Sequence, residues 1–114
     1  MKDLRLCRAD EVAEGAGRGF RFGAGTEQFG LFVIRYGGAL RAYVNSCPHQ
    51  GTPLDWLPDR FFDRDGAHLL CGTHGALFRP EDGLCVRGPC FGQRLEPAPI
   101  VVAEGEIFLA AESF

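Results

Sequence analysis

Two short stretches of this chain bring together residue types that bind metals. CPHQGTPL (47–54) holds Cys47-x-His49, and CGTHGALF (71–78) holds Cys71-x-x-His74, with residues 50–70 between the pairs. One thiolate and one imidazole cannot complete a four-ligand site, but two such pairs can. Each pair is followed by a glycine, Gly51 or Gly75, whose missing Cβ lets backbone N–H groups approach a bound group closely. Two thiolates and two imidazoles suit either tetrahedral zinc or a [2Fe–2S] cluster of mixed ligation. Zinc fingers and ribbons usually pair like with like, whereas here each stretch supplies one donor of each kind.

The mixed pairing, Cys-x-His followed by Cys-x-x-His, resembles that of Rieske proteins. CPHQGTPL and CGTHGALF are similar to the two cluster-binding loops of Rieske ferredoxins. DGLCVRGP (82–89) is similar to the glycine–proline loop that covers the cluster in that family. The resemblance implies one [2Fe–2S] cluster, with Cys47 and Cys71 on the inner iron and His49 and His74 on an outer iron near the surface. An oxidised core of about +2 charge would be neutral with two thiolates and two neutral imidazoles, so an added electron costs less than in an all-thiolate cluster. The electron should settle on the imidazole-bound iron. The spacer 50–70 is somewhat longer than the family's commonest ferredoxin spacer, and the excess falls within residues 55–66. High-potential respiratory members carry an extra Cys in each loop, where this chain has Thr52 and Thr73. Those members also place Ser and Tyr hydroxyls near the cluster, where Ala76 and Phe78 stand here. Fewer hydrogen-bond donors stabilise the reduced state less, so the potential should lie toward the lower end of the Rieske range of about −150 to +300 mV.

The remaining thiols and imidazole read differently. Five Cys in a chain expected to be cytosolic point to metal or redox chemistry rather than a disulfide framework. Cys7 lies on an alternating segment and is expected in the core; His68 is expected to be a partly exposed strand residue. Cys85 and Cys90 bracket Arg87-Gly88-Pro89, and a turn there can bring them within disulfide range. Reducing conditions favour two thiols instead, packed beside the cluster as small apolar side chains.

These loops need strands to hold them. LFVIRYGGALRAYVN (31–45) reads as a hairpin, with runs 31–36 and 40–45 flanking Gly37-Gly38. Its second run leads to Cys47, and a strand at 67–71 leads to Cys71. Further short strands are expected at 3–7, 19–23, 76–79, 84–87, 99–103 and 106–110, with Gly105 turning between the last two. Residues 11–19 read as a turn-rich connection. Residues 55–66 (DWLPDRFFDRDG) read as an irregular excursion whose aromatics tuck onto the core. With 16 Gly and 7 Pro, the expected fold is all-β, a small antiparallel barrel or sandwich of the Rieske type, forming one domain over residues 1–114.

Composition removes several functions. A net charge of −3 with scattered Arg gives no basic face for nucleic acid. No apolar run approaches the roughly 18 residues of a membrane span, so a cytoplasmic, membrane-free protein is expected. With His49 and His74 committed, His68 alone cannot build the 2-His-1-carboxylate iron site of a Rieske oxygenase. The remaining reading is a monomeric one-electron carrier, not catalytic by itself. The resemblance implies a flavin-dependent reductase as donor and an oxygenase as acceptor. A small Rieske-like subunit of a nitrite reductase is the alternative within the fold, and a zinc-stabilised binding module the alternative outside it.

Overall fold

The chain's β-branched and aromatic runs become its strands. The computed structural model describes residues 4–22, 29–48, 51, 53–72 and 75–110. Among these lie strands β1 (Leu4–Arg8), β2 (Gly17–Phe22), β3 (Phe29–Tyr36), β4 (Ala39–Val44), β5 (Leu69–Leu70), β6 (Leu77–Phe78), β7 (Cys85–Arg87), β8 (Ile100–Ala103) and β9 (Glu106–Leu109). Every strand expected from the sequence is present. The one at 67–71 shortens to Leu69–Leu70, because Ala67 and His68 belong to a turn whose N–H groups donate to Asp63 Oδ1 at 3.1 and 3.3 Å. A 3-10 turn at Ala9–Glu11 opens the expected connection, and the described residues contain no α-helix. None of their helices is long and apolar enough to cross a membrane.

The strands form three antiparallel three-stranded sheets, ordered β1-β9-β8, β2-β3-β4 and β5-β6-β7. The β3–β4 hairpin turns through Gly37 and Gly38 at φ +62° and +81°, the left-handed pair that matches strand twist in a two-residue turn. Both of their N–H groups donate to the Glu14 carboxylate at 2.8 Å.

Four consecutive residues of β3, Leu31 through Ile34, are fully buried. Side chains alternate across a strand, so the two faces enter different cores. Leu31 and Val33 join Cys7, Val12, Ala42, Ala98, Ile107 and Leu109 on one side. Phe32 and Ile34 join a core on the other side that contains Cys47, Cys71, Cys85 and Cys90. The middle sheet is thus a wall between a plain aliphatic core and a sulfur-rich one. The excursion over residues 55–66 is pinned to the sulfur-rich side. Phe61 stacks on Phe32 at 4.3 Å between ring centroids, and Phe62 stacks on Tyr36 at 6.1 Å. Gly17 on β2 leaves room for that ring, since a Cβ there would lie 2.9 Å from Phe61.

Candidate metal centre

The first loop leaves β4 at Asn45, whose side chain clamps both ends. Its Oδ1 accepts from the Leu54 N–H at 2.7 Å, and its Nδ2 donates to Asp55 Oδ1 at 3.1 Å. Inside that clamp, Gly51 N–H donates to the Cys47 carbonyl at 2.7 Å, with Gly51 at φ +74°. The second loop leaves β5 at Cys71. Gly75 N–H donates to the Cys71 carbonyl at 2.9 Å, with Gly75 at φ +72°. The two loops therefore close by the same bond, from a left-handed glycine four residues after each cysteine. The same repeat stands in the sequence as Cys-x-x-x-Gly, at 47–51 and at 71–75. Gly72 N–H donates to the Leu54 carbonyl at 3.1 Å and ties the second loop to the end of the first.

Cys47 and Cys71 are 1% and 0% exposed and lie in the same core. His49, His74, Thr52 and Thr73 lie outside the described residues. Among the described residues no three His, Cys, Asp or Glu side chains gather as a metal-binding group. No polar or charged side chain among them is buried. Two buried sulfurs in an apolar core, on loops closed by left-handed glycines, form a donor set that fits a neutral iron–sulfur group rather than a hard cation, which takes oxygen ligands.

The third loop lies on the second. At Gly88, φ +110°, an added Cβ would stand 2.8 Å from Ala76 Cα, so only glycine permits this approach. Ala76 and Phe78, the positions expected to lack hydroxyl donors, are fully buried. Cys85 and Cys90 are buried thiols with sulfurs 3.2 Å apart, and Cys85 also donates to the Arg87 carbonyl at 3.2 Å. Burial pushes the Cys90 thiol up to about 12, assisted by its contacts with Cys85 and Cys47. Cys90 thus carries its proton near neutrality and reaches the sulfur of an expected ligand.

The other sequence readings are placed as well. Cys7 is buried in the aliphatic core, where burial raises its thiol pKa. His68 is partly exposed in the turn beside Asp63, with Nδ1 3.8 Å from Asp63 Oδ2. Sequence reasoning passed over Asn45, and it expected Cys90 packed beside the site without naming Cys47 as the residue it meets. A polar amide at the end of a strand that delivers a ligand loop was the available signal for the first; nothing local signalled the second.

A model of the Rieske [2Fe–2S] domain matches residues 2–106. No curated protein matches the sequence. Among solved structures, the chain is similar to the ferredoxin of carbazole 1,9a-dioxygenase from Nocardioides aromaticivorans IC177, with 23% identity, 96% of this chain and 98% of that chain covered, and a TM-score of 0.69. It is similar to a chain in the complex of reduced oxygenase and oxidized ferredoxin in carbazole 1,9a-dioxygenase, with 27% identity, 95% and 92% covered, and a TM-score of 0.72. A longer chain in the reduced complex between oxygenase and ferredoxin also matches at 23% identity and a TM-score of 0.74, over 94% of this chain but 27% of that one. A zinc-stabilised module is thereby set aside. The loops, their glycines and their paired sulfurs have their explanation in this relationship: the chain belongs to the Rieske [2Fe–2S] family, and its cofactor is one [2Fe–2S] cluster.

Proposed function

We propose that the protein is a soluble, cytoplasmic one-electron carrier that acts as a monomeric domain over residues 1–114. It takes electrons from a flavin-dependent reductase and passes them to an oxygenase. Cys47 and Cys71 hold the inner iron of the cluster and His49 and His74 the outer one. The observation that carries this reading is the pair of cysteine loops closed by the same Cys O···Gly N–H bond within a chain of Rieske family. The whole-length likeness to ferredoxins of a dioxygenase, one of them in complex with its oxygenase, supports the acceptor.

When bound, the cluster supplies reversible one-electron chemistry. The chain's part is to keep Cys47 and Cys71 buried and to hold both loops rigid, so that little reorganises when charge changes. Phe91, 72% exposed on the covering loop next to Cys90, gives a partner an apolar contact beside the site.

The test is spectroscopic and then kinetic. Purified protein is expected to be red-brown, to bleach with dithionite, and to give an EPR signal whose average g lies below the free-electron value. His49→Ala and His74→Ala should each abolish that spectrum, and His68→Ala should keep it. Dithionite-reduced protein, freed of excess reductant, should then be reoxidised on mixing with a Rieske oxygenase, one electron per cluster. A colourless protein loaded with zinc overturns the reading.

A further inference from the structure

Four of the five cysteines lie in the core beside the site, but only two of those four are expected to hold iron. The other two meet. The segment from β7 returns on itself through hydrogen bonds from Cys85 N–H to the Gln93 carbonyl, Gly92 N–H to the Cys85 carbonyl and Gln93 N–H to the Cys90 carbonyl, at 2.8, 3.0 and 2.9 Å. Gly88 and Gly92, at φ +110° and +87°, make that return possible. It sets Cys90 Sγ 3.2 Å from Cys85 Sγ and in contact with Cys47. The turn that carries the two thiols is exposed at Arg87, Gly88, Pro89 and Phe91. Cys7, by contrast, is buried in the other core with no second cysteine.

We propose that Cys85 and Cys90 are a dithiol–disulfide switch set against the cluster site. The oxidant is a low-molecular-weight disulfide, RSSR, admitted when the exposed turn opens. The thiolate of one cysteine attacks RSSR, whose S–S bond breaks; a mixed disulfide forms and one RSH leaves. The second cysteine then attacks the protein-bound sulfur, the Cys85–Cys90 bond forms and a second RSH leaves. The two cysteines together lose two electrons and two protons, and RSSR gains them. Excess dithiol reverses the exchange.

Closing the bond removes the Cys90 S–H and ties the covering turn to β7. In the reduced pair the Cys90 S–H donates to Cys85 Sγ while its sulfur touches Cys47, and turning that S–H toward Cys47 answers negative charge added there. Its loss should lower the reduction potential. This last step rests on the assignment of Cys47 as a ligand; the disulfide itself does not.

The test treats the holoprotein with oxidised glutathione under argon while the visible spectrum is followed. The chain is then quenched in acid, denatured and alkylated with N-ethylmaleimide. Of the five cysteines, all should alkylate before treatment and three after it, with Cys85 and Cys90 recovered in one linked peptide. The midpoint potential should fall in the treated protein and recover with dithiothreitol. Cys85→Ala and Cys90→Ala should each yield no linked peptide, and the midpoint potential of untreated Cys90→Ala, which lacks the S–H, should already lie below that of the untreated wild type. Five alkylated cysteines after prolonged treatment, or glutathione retained on Cys85 or Cys90, overturns the switch. A linked peptide without a change in potential overturns its coupling to the cluster. A protein colourless from the outset would defeat the ligand assignment while leaving the alkylation count readable.

Discussion

At the scale of single residues, the potential depends on which donors face the sulfurs. Ala76 is fully buried at the base of the second loop, under Gly88, and supplies no hydroxyl. Ala76→Ser adds one O–H at a cost of little volume. A hydrogen bond stronger in the reduced state by about 1–2 kcal/mol would raise a one-electron potential by about 40–90 mV. Redox titration followed in the visible should show that rise, with the wild type starting in the lower part of the Rieske range, below about +100 mV. Tyr43 sets a second residue-scale expectation. Its hydroxyl donates to the Pro80 carbonyl at 2.8 Å, and burial pushes its pKa up to about 12. A phenol in the unfolded chain ionises near about 10. The folded state therefore holds the proton longer, so this contribution to stability is complete below about pH 10 and is lost as pH rises toward the folded value. The thermal midpoint should fall across that alkaline window, and Tyr43→Phe should flatten this part of the fall while lowering the midpoint at neutral pH through the lost hydrogen bond.

Elements place the ligand loops, and the contact between them is tighter than either loop suggests alone. A Cβ on Gly72 would stand 2.4 Å from Trp56 Cβ and 2.9 Å from Trp56 Cα. The obstacle is partly backbone, so rotation of the indole cannot relieve it. Gly72→Ala should destabilise by about 1–3 kcal/mol and displace the second loop. Iron content per chain should fall along with the thermal midpoint, whereas Gly66→Ala, at a turn with open space around it, should leave iron content intact. This contact also marks the boundary of what sequence reading reaches. The strands and both turns, Gly37-Gly38 and the one at Gly105, were legible because alternation, β-branched runs and glycine are local signals. The burial of Cys47 and Cys71 was legible for the same reason, since it follows from the strands that deliver them. The burial of Phe61 rather than Trp56 was not legible, because it depends on Gly17 and Phe32, which are remote in sequence. The meeting of Cys90 with Cys47 was hidden likewise, since it arises only when the third loop folds over the second. The resemblance implied that covering loop; the sulfur contact beneath it came from packing.

For the whole molecule, the middle sheet separates stability from cofactor retention. β3 sends Leu31 into the aliphatic core and Phe32 into the sulfur-rich one, so damage on the two sides should read out differently. Leu31 and Leu69 are both fully buried leucines, which makes them a matched pair. Truncation of either to Ala removes the same atoms and should cost about 2–5 kcal/mol, depending on how far each site collapses. Leu69 immediately precedes the residues that carry Cys71, and it packs among Cys47, Cys71 and Phe78. Leu31 lies on the far face of the wall with Val33 and Ile107. Leu69→Ala should therefore lose iron and visible absorbance at temperatures where the far-ultraviolet dichroism still reports folded strands. Leu31→Ala should keep its spectrum and potential up to a lowered cooperative unfolding transition, because Cys47 and Cys71 lie in the other core. Parallel melts followed by visible absorbance and dichroism decide the matter. Coincident loss of both signals in Leu69→Ala would mean that the two cores unfold as one unit and that the wall does not insulate the site.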